Sequence, residues 1–288
     1  MISRIDAWFF GAEDPRRLAS IRIALFTVLA LRLARPMYLE LASQPKALFR
    51  PLSFMHLFER MPDRTLVFVV QVAGVLACLM AALGLLTKLS ASTGFVAALL
   101  LGGMHTSIGK VMHNDVLLVL AIAPLLFAPI SDTWSLDSKI RKRPLRDGTA
   151  YGWPIRTALV IVAGAYFFAG FAKLMNSGTG WVLTENMRWV LYASSDNQAI
   201  PNTLALFLAD RPLLTKLMAG GALFYEISWP LAVVARWLRP LYALGAVLLH
   251  GGIYATMRLD YWAWIATVLI VSIDWIPCLG KLSKSEAH

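Results

Sequence analysis

The strongest constraint on this chain is the stretch from Leu66 to Leu86, which contains no charged side chain. The hydrocarbon core of a bilayer is about 30 Å thick, and roughly 20 apolar residues in a helix cross it. Inside that core every backbone N–H and C=O must be paired within the protein, which favours a helix over any open strand. The pattern recurs along the chain. Eight segments are expected to span, at residues 18–34, 66–86, 90–103, 116–130, 155–174, 217–234, 241–257 and 261–276. Several are shorter than ideal, which implies tilt or kinks, and Pro124 falls inside the fourth. Asp14-Pro15 reads as a helix start with proline at the first helical position. Charged residues make up only 15% of the chain, against about 25% in a soluble domain. The expected fold is an all-α, polytopic integral membrane bundle of about eight helices, with residues 1–288 forming one domain.

The net charge of +10 invites a nucleic-acid reading, but the basic residues sit between apolar segments instead of forming one stripe. Lysine and arginine at the ends of spans anchor loops on the cytoplasmic side. The densest block, Lys139 to Arg146, therefore belongs inside. That choice places both termini inside as well (N-in, C-in), with Arg16, Arg17, Lys88, Arg236, Arg239, Lys281 and Lys284 on the same side. The connection from Arg35 to Arg64, with Lys46, Arg50 and Arg60, opposes this. Residues 1–15 lack the basic, apolar, small-residue order of a secretory signal, so insertion is expected from the spans themselves. Of the two cysteines, Cys78 lies in an apolar span and Cys278 near the end of another. With no CxxC there is no support for a zinc site or a redox dithiol.

Two outer connections are long. The first, 35–63, holds four prolines around an amphipathic-looking Phe49 to Phe58. The other, 175–211, opens on a Gly-rich turn and continues through Trp181 to Tyr192, which reads as an interfacial helix. Loops of this length in a compact protein are usually functional.

The polar residues inside apolar segments need an account. Lys173 closes the segment Tyr166-Phe167-Phe168-Ala169-Gly170-Phe171-Ala172-Lys173-Leu174. Tyr166, Ala169/Gly170 and Lys173 lie three or four apart and share one helix face. An ammonium at mid-bilayer costs roughly 3 kcal/mol, so Lys173 either snorkels to the headgroups or is a functional amine. Glu226, midway along the sixth segment, must be protonated, paired or facing water. A structural ion pair is the plain alternative to a catalytic role. His250, before Gly251-Gly252, is either a packed core histidine or a pocket group. His105 reads as a loop histidine. His113-Asn114-Asp115 reads either as a helix N-cap with an acidic first turn or as part of the same outward-opening pocket. No HxxxH, HExxH, GxSxG or GxxxxGK[ST] occurs, so no metal, serine-hydrolase or phosphate-loop chemistry is indicated. What remains is acid–base chemistry by Lys, His and Glu, because desolvation favours the neutral amine and the neutral carboxyl.

The stretch 166–174, followed by Trp181, resembles the motif that ends a transmembrane helix in the vitamin K-dependent γ-carboxylase family, whose bacterial branch is the HTTM-domain proteins. His113-Asn114-Asp115-Val116-Leu117-Leu118, followed by Pro129 and Trp134-Ser135-Leu136-Asp137, is similar to that family's Asn/His motif ahead of a span. Glu226 and His250 give a looser third match. The resemblance runs from about Asp14 to Trp275. It implies a reduced quinone (a vitamin K-like hydroquinone) as cofactor, O2 and CO2 as co-substrates, and Lys173 as the base. The family's second essential side chain falls on His113 or Asn114, because the two residues are transposed relative to the usual order. Tyr166, Trp181, Glu226 and His250 would then line the substrate pocket. The family's extended outer domain has no counterpart here, so carboxylation of a docked protein is not implied. The expected setting is the bacterial cytoplasmic (inner) membrane, with the lipid bilayer, a hydrophobic quinone and a secreted peptide or protein as partners, and no nucleic acid.

Three functions follow as alternatives. One is a quinol-dependent carboxylase-like or epoxidase-like enzyme. Another is a non-enzymatic accessory factor for maturation, export or immunity of a secreted peptide. The third, a small proton-coupled transporter, lacks the inverted repeat and paired broken helices such proteins carry.

Overall fold

The computed structural model describes residues 2–109, 113–142 and 144–276. Lys110, Arg143, Cys278, Lys281 and Lys284 lie outside them. Among the described residues the chain is all-helical, without a strand. It falls into two compact units, one from Met1–Ala158 with the described part of Asp274–His288, the other from Leu159–Ile273.

The first unit holds α1 (Ile2–Phe9), α2 (Pro15–Leu33), α3 (Met37–Leu41), α4 (Arg64–Leu83), α5 (Thr87–Thr106), α6 (Val116–Ile122), α7 (Leu136–Arg141) and the start of α8 (Thr149–Ser177). Asp14 caps α2 by accepting the Arg16 N–H at 2.8 Å, and Pro15 takes the first position, where no donor is needed. Asp63 caps α4 in the same way. Pro124 has no N–H for the α-helical ladder, so α6 gives way to a 3-10 turn at Ala123–Leu126. The fourth apolar segment, expected to run to Ile130, is therefore helical only to Leu126. Phe49 to Phe58, expected to be amphipathic, forms a short 3-10 turn at Ser53–Leu57.

The core of this unit is α2, whose Leu18, Ile21, Leu25, Phe26, Leu29 and Leu33 are buried. α4 and α5 meet through small residues. A Cβ at Gly74 would lie 2.6 Å from Ala97 Cβ, and one at Gly94 would lie 2.7 Å from Cys78 Sγ. Close backbone approach of this kind is how helices pack in lipid, where apolar burial alone gives no preference. Gly94→Leu is accordingly expected to cost about 1–3 kcal/mol by overpacking, read as a lowered unfolding midpoint of the purified protein in detergent. An unchanged midpoint would show that the contact gives way freely.

Two buried polar clamps close the α4–α5 end. Gly84 has φ +72°, and a Cβ there would fall 2.2 Å from Ser135 Cβ, so both conformation and space call for glycine. Beyond it, Asp137 accepts from Leu86 N–H (3.0 Å), Thr87 N–H (2.8 Å) and the Thr87 hydroxyl (2.7 Å). Burial pushes the Asp137 carboxyl up, but these three donors outweigh it and hold the group below the usual carboxylate range. Arg22, fully buried in α2, donates to the carbonyls of Ile130 (2.6 Å), Trp134 (2.5 Å) and Ala82 (3.3 Å). An arginine in an apolar run is thus spent on carbonyls that no helix satisfies.

The second unit holds the rest of α8, then α9 (Gly180–Leu183), α10 (Asn186–Asp196), α11 (Thr203–Ala209), α12 (Pro212–Ser228), α13 (Pro230–Val234), α14 (Arg239–Met257) and α15 (Trp262–Ser272). The helix expected from Trp181 to Tyr192 is two helices, because Thr184 is extended between them. The sixth apolar segment starts earlier than expected, at Pro212, and breaks at Trp229 ahead of Pro230. Leu191, Ala205 and Ala209 form a small buried cluster with Met257 packed against it. Asn202 fixes that junction. Its Oδ1 caps α11 at Ala205 N–H (3.1 Å), and its Nδ2 donates to Ala255 O (2.8 Å).

Among the described residues four helical stretches are long and apolar enough to cross a membrane: Arg64–Leu83, Thr87–Thr106, Thr149–Ser177 and Arg236–Met257. At about 1.5 Å per residue each reaches the roughly 30 Å needed. Val116–Leu126 and Trp262–Ser272 are apolar but shorter. This is the helical architecture of a membrane protein.

Candidate functional site

The site begins where α8 and α12 touch. A Cβ on Gly170 would lie 2.9 Å from Glu226 Cβ and 3.0 Å from Ile227 Cγ1, so the two backbones are at their closest there. One turn further along α8, Lys173 reaches the Glu226 side chain. Its Nζ donates to both carboxylate oxygens, at 2.5 Å to Oε2. The Lys173 side chain is 24% exposed and that of Glu226 only 8%. Glu226 lies in the last turn of α12, the negative end of the helix dipole, where a carboxylate is disfavoured. The lysine offsets that penalty. From α9, the Trp181 ring lies 5.2 Å from Nζ, within cation–π range. The Trp181 indole Nε1 is buried and has no hydrogen-bond partner.

A second group grows from the same turn of α12. Trp229 stacks on Tyr166 of α8 at 5.1 Å with 8° between the planes. Tyr225 meets Tyr166 edge-on at 5.3 Å. The Tyr166 hydroxyl and His250 Nε2 are hydrogen-bonded at 2.9 Å, and His250 in turn packs on Tyr261 and Trp264. Gly245 makes room for Tyr225, since a Cβ there would sit 2.4 Å from the ring, and the Tyr225 hydroxyl donates to Tyr242 O at 2.8 Å. One face of α8 therefore presents Tyr166, Gly170 and Lys173 in that order to α12, as their spacing implies. The ammonium does not simply snorkel away from the protein; it is paired.

Chemically, the arrangement puts an amine and a carboxyl in direct contact beside the Trp181 ring. Moving one proton from Nζ to the carboxylate leaves a neutral amine with a free lone pair. The Tyr166–His250 pair is a second place where a proton can be passed.

His113 and Asn114 belong to the first unit. His113 is exposed, and its carbonyl accepts the Val116 N–H that opens α6. Asp115 occupies the N-cap position, but its side chain makes no capping bond. Its carboxylate turns instead to two arginines, pairing with Arg32 Nε and with Arg35 Nη2 at 2.8 Å. Arg32, Arg35, Asp115 and Tyr38 are thus a polar centre that sequence reasoning passed over. The available signal was an arginine near the end of an apolar run with an acid ahead of another. Among the described residues no group of histidine, cysteine and acidic side chains could hold a metal ion.

No family model, no curated protein and no solved structure matches this chain.

Proposed function

We propose that this is a multi-pass protein of the bacterial cytoplasmic membrane whose second unit carries an acid–base site for quinol-dependent chemistry of the carboxylase or epoxidase type. About eight spans with both termini inside fit the apolar segments and the basic block at Lys139 to Arg146. The observation that carries the reading is the Lys173–Glu226 pair, an amine and a carboxyl in contact beneath an indole. Snorkelling needs neither the acid nor the ring.

The residues present suit a quinol. Trp181 Nε1 is a buried donor without a partner, Lys173 supplies a cation or a base, and Glu226 takes up a proton. When bound, a quinol supplies two electrons and a weakly acidic hydroxyl. Lys173 passes its proton to Glu226 and accepts another at Nζ. Trp181 lies over the ammonium. The Tyr166 hydroxyl of α8 and His250 Nε2 of α14 share a further proton. His113 and Asn114 enter this reading only through the resemblance.

The test is oxygen-dependent quinol oxidation, or epoxide formation, by the purified protein. A general base contributes about 10²–10⁴-fold, so Lys173→Ala is expected to lower turnover at least 100-fold. Lys173→Arg keeps the ion pair but cannot release its proton. It is expected to lose activity while keeping its unfolding midpoint. Turnover equal to wild type in either variant removes Lys173 as the base.

A further inference from the structure

A groove of about 630 Å³ in the first unit takes no part in the acid–base reading. Ile23 and Thr27 of α2 and Leu79 and Leu83 of α4 line it, and Trp134, Ser135 and Lys139 add to the lining. Leu79 and Leu83 belong to the last turns of α4, a stretch long enough to cross the bilayer. The groove therefore lies at the end of a span, where hydrocarbon gives way to headgroups. Ile23, Leu79 and Leu83 are exposed, so its apolar side opens to lipid. The two hydroxyls in the wall are already engaged. Thr27 donates to Ile23 O at 2.7 Å, and Ser135 donates to Ser131 O (2.5 Å) while accepting from Ser138 N–H (2.9 Å). Such a wall suits an acyl chain and offers a polar ligand little.

Two of the lining residues say what head that chain carries. Trp134 has φ +48°, a left-handed conformation that is uncommon for a bulky residue. Arg22 holds it there by donating to its carbonyl at 2.5 Å. Strain of this kind persists only where the surroundings enforce it, and it gathers at ligand clamps. Trp134 remains 42% exposed, and tryptophan is enriched where a bilayer meets water. Lys139 is exposed as well, and its ammonium makes no ion pair or hydrogen bond with a described residue. All three of its donors are open. Residues 138–146 carry five basic side chains and no acid. A basic cluster of roughly this size at the end of a span attracts anionic headgroups.

We propose that this groove binds one anionic phospholipid, with an acyl chain along α2 and α4 beside Trp134 and the phosphate on the Lys139 ammonium. The chain supplies apolar contact, and the lysine supplies the choice of head. A hydrogen bond to a charged group is worth roughly 10–100-fold in affinity. A zwitterionic headgroup gains less, because it brings a cation of its own beside Lys139 and the basic residues that follow. The proposal rests on the chain lying in a bilayer and on nothing in the second unit, so the fate of Lys173 as a base does not touch it.

The experiment uses the full chain purified in detergent, mixed with equal amounts of phosphatidylglycerol and phosphatidylcholine carrying the same acyl chains. Native mass spectrometry reads which lipid stays bound. One phosphatidylglycerol is expected, retained at least 10-fold over phosphatidylcholine and not displaced by inorganic phosphate. Thr27 is exposed on α2, so Thr27→Trp fills the groove. That variant and Lys139→Glu are each expected to lower occupancy at least 10-fold. Lys46→Glu makes the same change in net charge on the connection that enters the other end of α4. It is expected to leave occupancy within about 2-fold of wild type. The thermal midpoint of each variant checks folding, and if Thr27→Trp does not fold, Ile23→Trp at the exposed rim takes its place. Equal retention of the two lipids overturns the proposal, as does wild-type occupancy in Lys139→Glu or in the filled variant. So does displacement by inorganic phosphate, or a loss in Lys46→Glu as large as in Lys139→Glu. A dimer that the filled variant abolishes would put a second copy of the chain in the groove and overturn it too.

Discussion

Lys173→Met is expected to destabilise the protein by about 3–5 kcal/mol, the usual cost of removing one partner from a buried ion pair. The carboxylate left behind is only 8% exposed, and it stands in the last turn of α12, where the helix dipole disfavours negative charge. Glu226→Leu alone should cost less. Lys173, at 24% exposed, has a long stem that can carry its charge toward water. In the double variant no charge is stranded, and most of the stability should return. The measurement is a double-mutant cycle on the unfolding midpoint in detergent. A coupling of about 2 kcal/mol or more is expected, within the range found for contacting residues. Additive single effects would mean that the two groups do not interact in the folded protein.

Asp115→Ala is expected to have a loss of the same order, about 3–5 kcal/mol. The side chain of Arg32 is 1% exposed, and Arg35 shares the same carboxylate. Without Asp115 both guanidinium groups lose the carboxylate that each of them contacts. Asp115→Asn keeps hydrogen-bond acceptance but not charge, so it should fall between Ala and wild type. If Asp115→Ala shifts stability by less than about 1 kcal/mol, the cluster is solvated rather than buried. Surface ion pairs contribute no more than that.

The helices themselves were largely legible. An uncharged stretch at Leu66–Leu86 lies within three residues of α4 (Arg64–Leu83) at each end, and Asp14-Pro15 announces α2 because caps are local chemistry. The face of α8 that carries Tyr166 and Lys173, with Ala169 or Gly170 between them, could also be read, since it follows from helical spacing alone. What each of those residues meets could not. Lys173 finds Glu226, and Tyr166 finds His250, across sequence gaps that no local rule bridges. The break at Trp229 was passed over because an apolar run looks continuous through a proline, although Pro230 withdraws a backbone donor. The Arg32–Asp115–Arg35 centre was hidden for a different reason. Each residue alone has an ordinary explanation, as an anchor at a span end or as an acid in a first turn. Only the fold shows that they answer one another.

The carbonyls that hold Arg22 have a consequence for how the chain is made. Ile130 and Trp134 lie 108 and 112 residues downstream of that arginine. When α2 leaves the ribosome, those two acceptors have not yet been synthesised. Arg22 can reach them only after α4, α5 and α6 have followed. Closing of this clamp is therefore a late and collective event for this unit, timed by the appearance of a loop and not by the hydropathy of its first long helix.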